Sequence, residues 1–172
     1  SVYVFDQSQT EGDELPTLDY RAKGDDAGLV AMLEGEYARH GIEVTYVDPT
    51  LMAAMYGDAK GVSMGKTVRI INTLQGSERA ATLAHELAHS LLHFDENNRP
   101  APDHSRSQAE IEAESVAACV LGAWGLDWKP SALYLACWGG DKDKVRQSMT
   151  RIANTSKRIL ENILPEDKAA AA

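Results

Sequence analysis

The stretch "TLAHELAHSLLH", residues 82–93, carries three of the chain's five histidines, each four residues after the last, with Glu86 directly following the first. Apolar residues fill most other positions (Leu83, Ala84, Leu87, Ala88, Leu91, Leu92), a pattern that predicts a helix buried around most of its surface. Histidines on such a helix need polar partners. The four-residue spacing puts His85, His89 and His93 on one face. His85 and His89, one turn apart, can aim both imidazoles at a point about 2 Å away, which suits a tetrahedral zinc ion. Glu86 is rotated about 100° from His85. It stands beside such an ion, where it can take a proton from an activated water and pass it to a leaving group. His93 lies about 5.4 Å further along the axis than His89, with no glycine between them to fold the chain back. It is therefore expected to pack or to support a ligand rather than to be one.

A catalytic zinc keeps three protein ligands and one open position. The segment "EIEAESVA", residues 110–117, offers the third. Glu110 and Glu114 share a helix face at i, i+4, while Glu112 points elsewhere. Glu110 is expected to bind the ion, and Glu114 to accept a hydrogen bond from a ligand histidine's other nitrogen. Glu112 stays open as the alternative ligand, and a merely solvated acidic face is the blander reading.

Around these motifs the chain has an ordinary globular composition, 44% hydrophobic and 25% charged over 172 residues, enough for one core and too little for two. A net charge of −9 argues against a phosphate-gripping surface, so no nucleic acid is expected to bind this segment itself. No apolar run approaches the roughly 20 residues that span a bilayer. Cys119 and Cys137 sit in apolar helical surroundings and read as buried thiols in a reducing, cytoplasmic compartment.

Residues 1–24 read as an extended arm, and a helix opened by Asp25 and Asp26 follows, with Leu29, Val30, Leu33 and Tyr37 as its stripe and Gly41 as its stop. "IEVTYVD" (42–48) and "KTVRIINT" (66–73) read as strands, while "LMAAMYGDAKG" (51–61) is a short helix or a wide loop. The second strand is expected to form a sheet edge at the cleft, offering backbone groups to an extended peptide. Ser77 is the expected N-cap of the motif helix, which runs to about Phe94. Helices are expected over about 107–123, 130–138 and 141–163, the last with Val145, Met149, Ile152, Ile159 and Ile163 on its apolar side. The whole is an α+β domain over residues 1–165, with 166–172 an added or frayed tail; Ser1 and that tail suggest a segment of a longer protein. Trp124, Trp128 and Trp138 are expected to pack, His40 to cap a helix, and His104 to have at most a cleft-lining role. Tyr46 or Tyr56 is a candidate donor to an oxyanion opposite the ion, with no sequence ground for choosing.

"TLAHELAHSLLH" followed by "EIEAESVAACVL" resembles the ImmA/IrrE family of zinc metallopeptidase-like domains, within the HExxH zincins. "VYVFDQSQTEGDELP" and "GLDWKPSALYLACWGGD" resemble the metallopeptidase domain that follows a single-stranded-DNA-binding domain in ArdC-like antirestriction proteins. The resemblance covers most of the chain, although only the two central motifs are chemically specific. It implies a zincin-like fold, with a small sheet on the motif helix and a helical C-terminal half. It also implies one Zn2+ held by His85, His89 and a glutamate of the second motif, Glu86 as general base, and a peptide or protein substrate. Two positions depart from the family pattern: Glu114 stands where Asn or Asp is usual, and Val116 where an aromatic is common. Some members of the family cleave a regulator protein, while others act mainly by binding. The expectation is a gluzincin-type metallopeptidase domain. The alternatives are a binding or regulatory module with a structural or vestigial zinc, and metal-dependent hydrolysis of a non-peptide bond.

Overall fold

The structure, a computed structural model, describes residues 22–101, 105–128 and 142–164, with the backbone alone for 142–145. The expectations for most of the arm, for a helix at 130–138, and for His104, Cys137 and Trp138 lie outside the described residues. The described part is α+β, with five helices and a three-stranded sheet.

Helix α1 (Leu29–Arg39) buries Leu29, Leu33 and Tyr37 and ends where Gly41 takes a left-handed φ of 62°. Strand β1 (Glu43–Val47) follows, then α2 (Pro49–Tyr56), which resolves the ambiguous stretch as a helix. Asp48 caps α2 by accepting the Thr50 N–H at 2.8 Å, and Pro49 occupies its first turn, where a missing N–H does no harm. Strands β2 (Gly61–Ser63) and β3 (Thr67–Ile71) complete a sheet of order β1-β3-β2, with β1 parallel and β2 antiparallel to β3.

This order corrects one expectation. The strand at 66–73 is central and paired on both sides, so it offers no edge to the cleft; among the described residues the three-residue β2 is the edge strand there. The alternation of β3 puts Val68 and Ile70 into the core beside Val44 and Tyr46 of β1, their register partners.

Helix α3 (Gly76–Leu92) lies across this core, burying Ala80, Leu83, Ala84, Leu87 and Ala88. Its start corrects the sequence reading: Gln75 holds the N-cap position, and Ser77, inside the first turn, donates to the Ala22 carbonyl at 2.8 Å. It stops at Leu92 rather than at Phe94, because His93 has left helical geometry at φ −117°, ψ 11°. Helix α4 (Arg106–Trp124) is capped by Ser105 and closed by Gly125 at φ 95°. Cys119 is exposed on α4, contrary to expectation, because the buried stripe runs through Val116, Ala117, Val120 and Leu121 and leaves residue 119 off it. Trp124 is buried in the core, as its packing role requires.

The last helix, α5 (Lys142–Ile163), buries Ile152, Ile159 and Ile163, but Met149 is 61% exposed and the polar Ser148 takes the buried place. A further polar tie joins α1 to α5: buried Glu36 of α1 accepts from Asn162 of α5 at 2.9 Å and contacts Arg39 and His40.

Tyr37 ties α1 to the motif helix by donating to the Leu83 carbonyl at 2.7 Å. Burial first, then the charge of Glu86, hold its phenol well above the ordinary 10.0. The unfolded chain ionises at the ordinary value while the folded chain does not, so this contribution is intact below pH 10 and drains away above it. Tyr37→Phe is expected to lower the unfolding free energy by about 1 kcal/mol at neutral pH. It should also flatten the alkaline decline, and urea unfolding at neutral pH and above pH 10 checks both.

Candidate metal centre and active-site cleft

Three donor atoms converge at the surface of α3. The Nε2 atoms of His85 and His89 lie 3.0 Å apart, and Oε2 of Glu110 lies 3.4 Å from the first and 3.6 Å from the second. Ligands at about 2.0–2.1 Å around a tetrahedral ion stand about 3.3 Å from one another. The triangle has those dimensions, and two imidazoles with one carboxylate are a donor set suited to zinc. The residues therefore fit a divalent ion without rearrangement.

The geometry follows from two helices packed face to face. Helical spacing on α3 aligns His85 with His89, and α4 brings Glu110 across from them. Glu114, one turn further along α4, meets the back of the His85 ring, with Nδ1 3.1 Å from its Oε2. Glu112 faces the other way, is 0% exposed, and meets Nε2 of His93 at 3.1 Å. His93 in turn has its Nδ1 2.9 Å from Nδ1 of His89. The structure thus brings together His85, His89 and Glu110, sets Glu114 and His93 behind the two imidazoles, and takes Glu112 out of the cleft.

The charges respond to this packing. Burial pulls the His85 imidazole down, but hydrogen bonds to Glu110 and Glu114 and the nearby Glu86 charge outweigh it and leave it raised to about 10 in the metal-free chain. Hydrogen bonds from His85 and His89 hold Glu110 well below the ordinary carboxylate range, against partial burial.

Glu86 is 7% exposed and points to the sheet side of the pair. Burial raises its carboxyl above the ordinary value, although the two histidines and the Ser63 backbone N–H work against that rise. A glutamate held this way is a stronger base than a solvated one. Gly61 of β2 is what permits the approach: a Cβ there would lie 2.7 Å from Cγ of Glu86 and 2.8 Å from both its Oε1 and Cγ2 of Thr82. Sequence reading missed Gly61, because a lone glycine in a three-residue strand carries no distinguishing pattern.

These groups line a cleft of about 730 Å³ between edge strand β2, α3 and the start of α4. Its walls include Val62, Phe94, Trp128 and Arg106, which makes it large enough and mixed enough in polarity for a peptide segment. Tyr56 lines the cleft, its hydroxyl accepting from Arg69 at 2.8 Å and donating to the weak acceptor Sδ of Met64 at 3.7 Å, whereas the Tyr46 hydroxyl donates to the Glu34 carboxylate outside the cleft.

Residues 38–121 match the model of the IrrE N-terminal-like domain, peptidase family M78. The matched segment, just under half of the chain, runs from the end of α1 into α4 and contains His85, Glu86, His89, Glu110 and Glu114. Neither a curated protein nor a solved structure matches the chain. The similarity is thus to a peptidase domain, and it falls on the residues that the geometry gathers. No described helix is long and apolar enough to cross a membrane.

Glu110→Gln is expected to weaken zinc binding far more than Glu114→Gln, for which a loss of about 10–100-fold is expected. Competition against a chromogenic chelator measures both, and equal binding by Glu110→Gln and wild type would remove Glu110 from the site.

Proposed function

We propose that this chain is a zinc-dependent metallopeptidase domain of the ImmA/IrrE type, in which Glu86 activates the water that attacks a peptide bond. The observation that carries this reading is the convergence of His85, His89 and Glu110, with buried Glu86 beside them, in a cleft of the described residues. His85 and His89 would hold the ion through Nε2, and Glu110 through Oε2. When bound, the ion would supply Lewis acidity toward the scissile carbonyl and the attacking water. Glu86 takes that water's proton on its carboxylate and delivers it to the leaving amine nitrogen. Strand β2, at the edge of the sheet among the described residues, aligns an extended substrate beside α3 through backbone groups other than the Ser63 N–H, which Glu86 holds. Tyr56, its hydroxyl oriented by Arg69, is the candidate donor to the developing oxyanion.

Among the described residues three side chains converge as ligands, rather than the four of a closed structural site, and this favours hydrolysis over a purely structural zinc. The terminal motifs support an ArdC-like parent acting in the cytoplasm, whose other domain binds single-stranded DNA. The substrate of this domain is then a protein.

Glu86→Gln is expected to keep about one zinc per chain and lose hydrolysis of a quenched-fluorescence peptide library by about 10²–10⁴-fold. Gly61→Ala, which displaces Glu86 without touching a ligand, should also keep its zinc and lose about 10–100-fold in kcat. Hydrolysis that survives Glu86→Gln unchanged would overturn the proposed mechanism.

A further inference from the structure

Each ligand histidine has a carboxylate behind it, but the two are reached differently. His85 meets Glu114 directly, whereas His89 meets His93, and His93 meets Glu112. We propose that Glu112, acting through His93, is the positioning residue for His89, and that Ser148 and Arg151 of α5 hold Glu112 for that task. The inference rests on the metal-centre reading above.

The directions of the hydrogen bonds follow from valence. If Nε2 of His89 offers its lone pair to an ion, its Nδ1 carries the proton and donates it to His93. Nδ1 of His93 must then be bare, so its Nε2 carries a proton and donates to Oε2 of Glu112, 3.1 Å away. The chain of donors therefore runs outward from the cleft and ends on a carboxylate. It orients the His89 ring and raises the basicity of its ligating nitrogen.

Glu112 is anchored on every side. Ser148 donates to its Oε1 at 2.6 Å, the Gln108 amide donates to the same oxygen at 3.4 Å, and the Arg151 guanidinium stands 3.3 Å from Oε2. Gln108 also donates to Ser148 at 3.1 Å, and Arg151 donates to the Leu92 carbonyl at the C-terminal end of α3 at 2.8 Å. Arg151 thus fastens α5 both to Glu112 and to the turn from which His93 projects. Replacing a buried, paired carboxylate by apolar side chains of similar volume is often neutral or stabilising, so stability alone does not call for Glu112 here, and a positioning role does.

Helix geometry explains why a second histidine is needed. Glu112 is two residues from Glu110 and faces the opposite side of α4, so it cannot reach the cleft itself. His93 closes the gap because it stands just past the last helical residue. Its ring folds back over His89, with ring centres 5.0 Å apart. Ser148 and Arg151 lie beyond the segment 38–121 that matches the peptidase family, so part of the support for the site comes from outside that segment.

Zinc affinity by chelator competition, visible spectra of the cobalt(II)-loaded chain and imidazole 15N resonances of the zinc-loaded wild type test this together. Glu112→Gln is expected to bind zinc about 10–100-fold more weakly and to shift the cobalt ligand-field bands. Ser148→Ala and Arg151→Met should show smaller changes in the same direction. In the wild type, His89 should be protonated at Nδ1 and His93 at Nε2 alone, a result that depends on no variant folding. Wild type that takes up no zinc overturns the metal-centre reading itself. Wild type that binds zinc with His93 protonated at Nδ1 overturns the relay alone. So does Glu112→Gln with wild-type affinity and an unchanged cobalt spectrum.

Discussion

The site depends on one constraint: α3 must be packed on nearly every side and still present two imidazoles to a carboxylate of α4 along one seam. Two imidazole nitrogens held 3.0 Å apart are poorly placed for each other unless a proton or a cation lies between them. Packing supplies the force that holds them there. Leu83, Ala84, Leu87 and Ala88 lock α3 into the core, and Tyr37 adds a hydrogen bond from α1. The alanines keep the helix surface low enough for neighbouring elements to approach closely. Glycine does the same for the sheet, since Gly61 lets β2 pass against the side chain of Glu86.

The polar groups behind the seam form two unequal supports. Glu114 is half-buried and meets His85 directly, whereas Glu112 is wholly buried and is linked to His89 through His93. The second support recruits α5, so the site draws on helices from the middle and the end of the chain. It also accounts for the buried Ser148 on α5. Ser148 and Arg151 meet Glu112, and Asn162 meets Glu36.

Much of this was legible in the sequence because period and spacing are strong where a motif rides on a long helix. The four-residue steps among His85, His89 and His93, and between Glu110 and Glu114, define faces whatever the tertiary packing. The same reasoning failed where an element was short or a stripe was mixed. The run Gly61–Ser63 has three residues, too few for alternation to show, so β2 went unseen and the edge was assigned to its neighbour. Met149 and Ser148 both stand at helical distance from Ile152, and hydrophobicity favours Met149. The buried partner Glu112, which no local pattern announces, reverses that choice. Cys119 misled for a related reason, since an apolar helix interior does not say which face is covered.

X-ray absorption at the zinc edge of the zinc-loaded chain tests the central claim most directly. A first shell of two imidazole nitrogens and one carboxylate oxygen from the protein, with a remaining light-atom ligand from solvent, is the predicted result. A shell containing sulfur, or one with a third imidazole, would contradict the assignment of His85, His89 and Glu110 and with it the role given to His93.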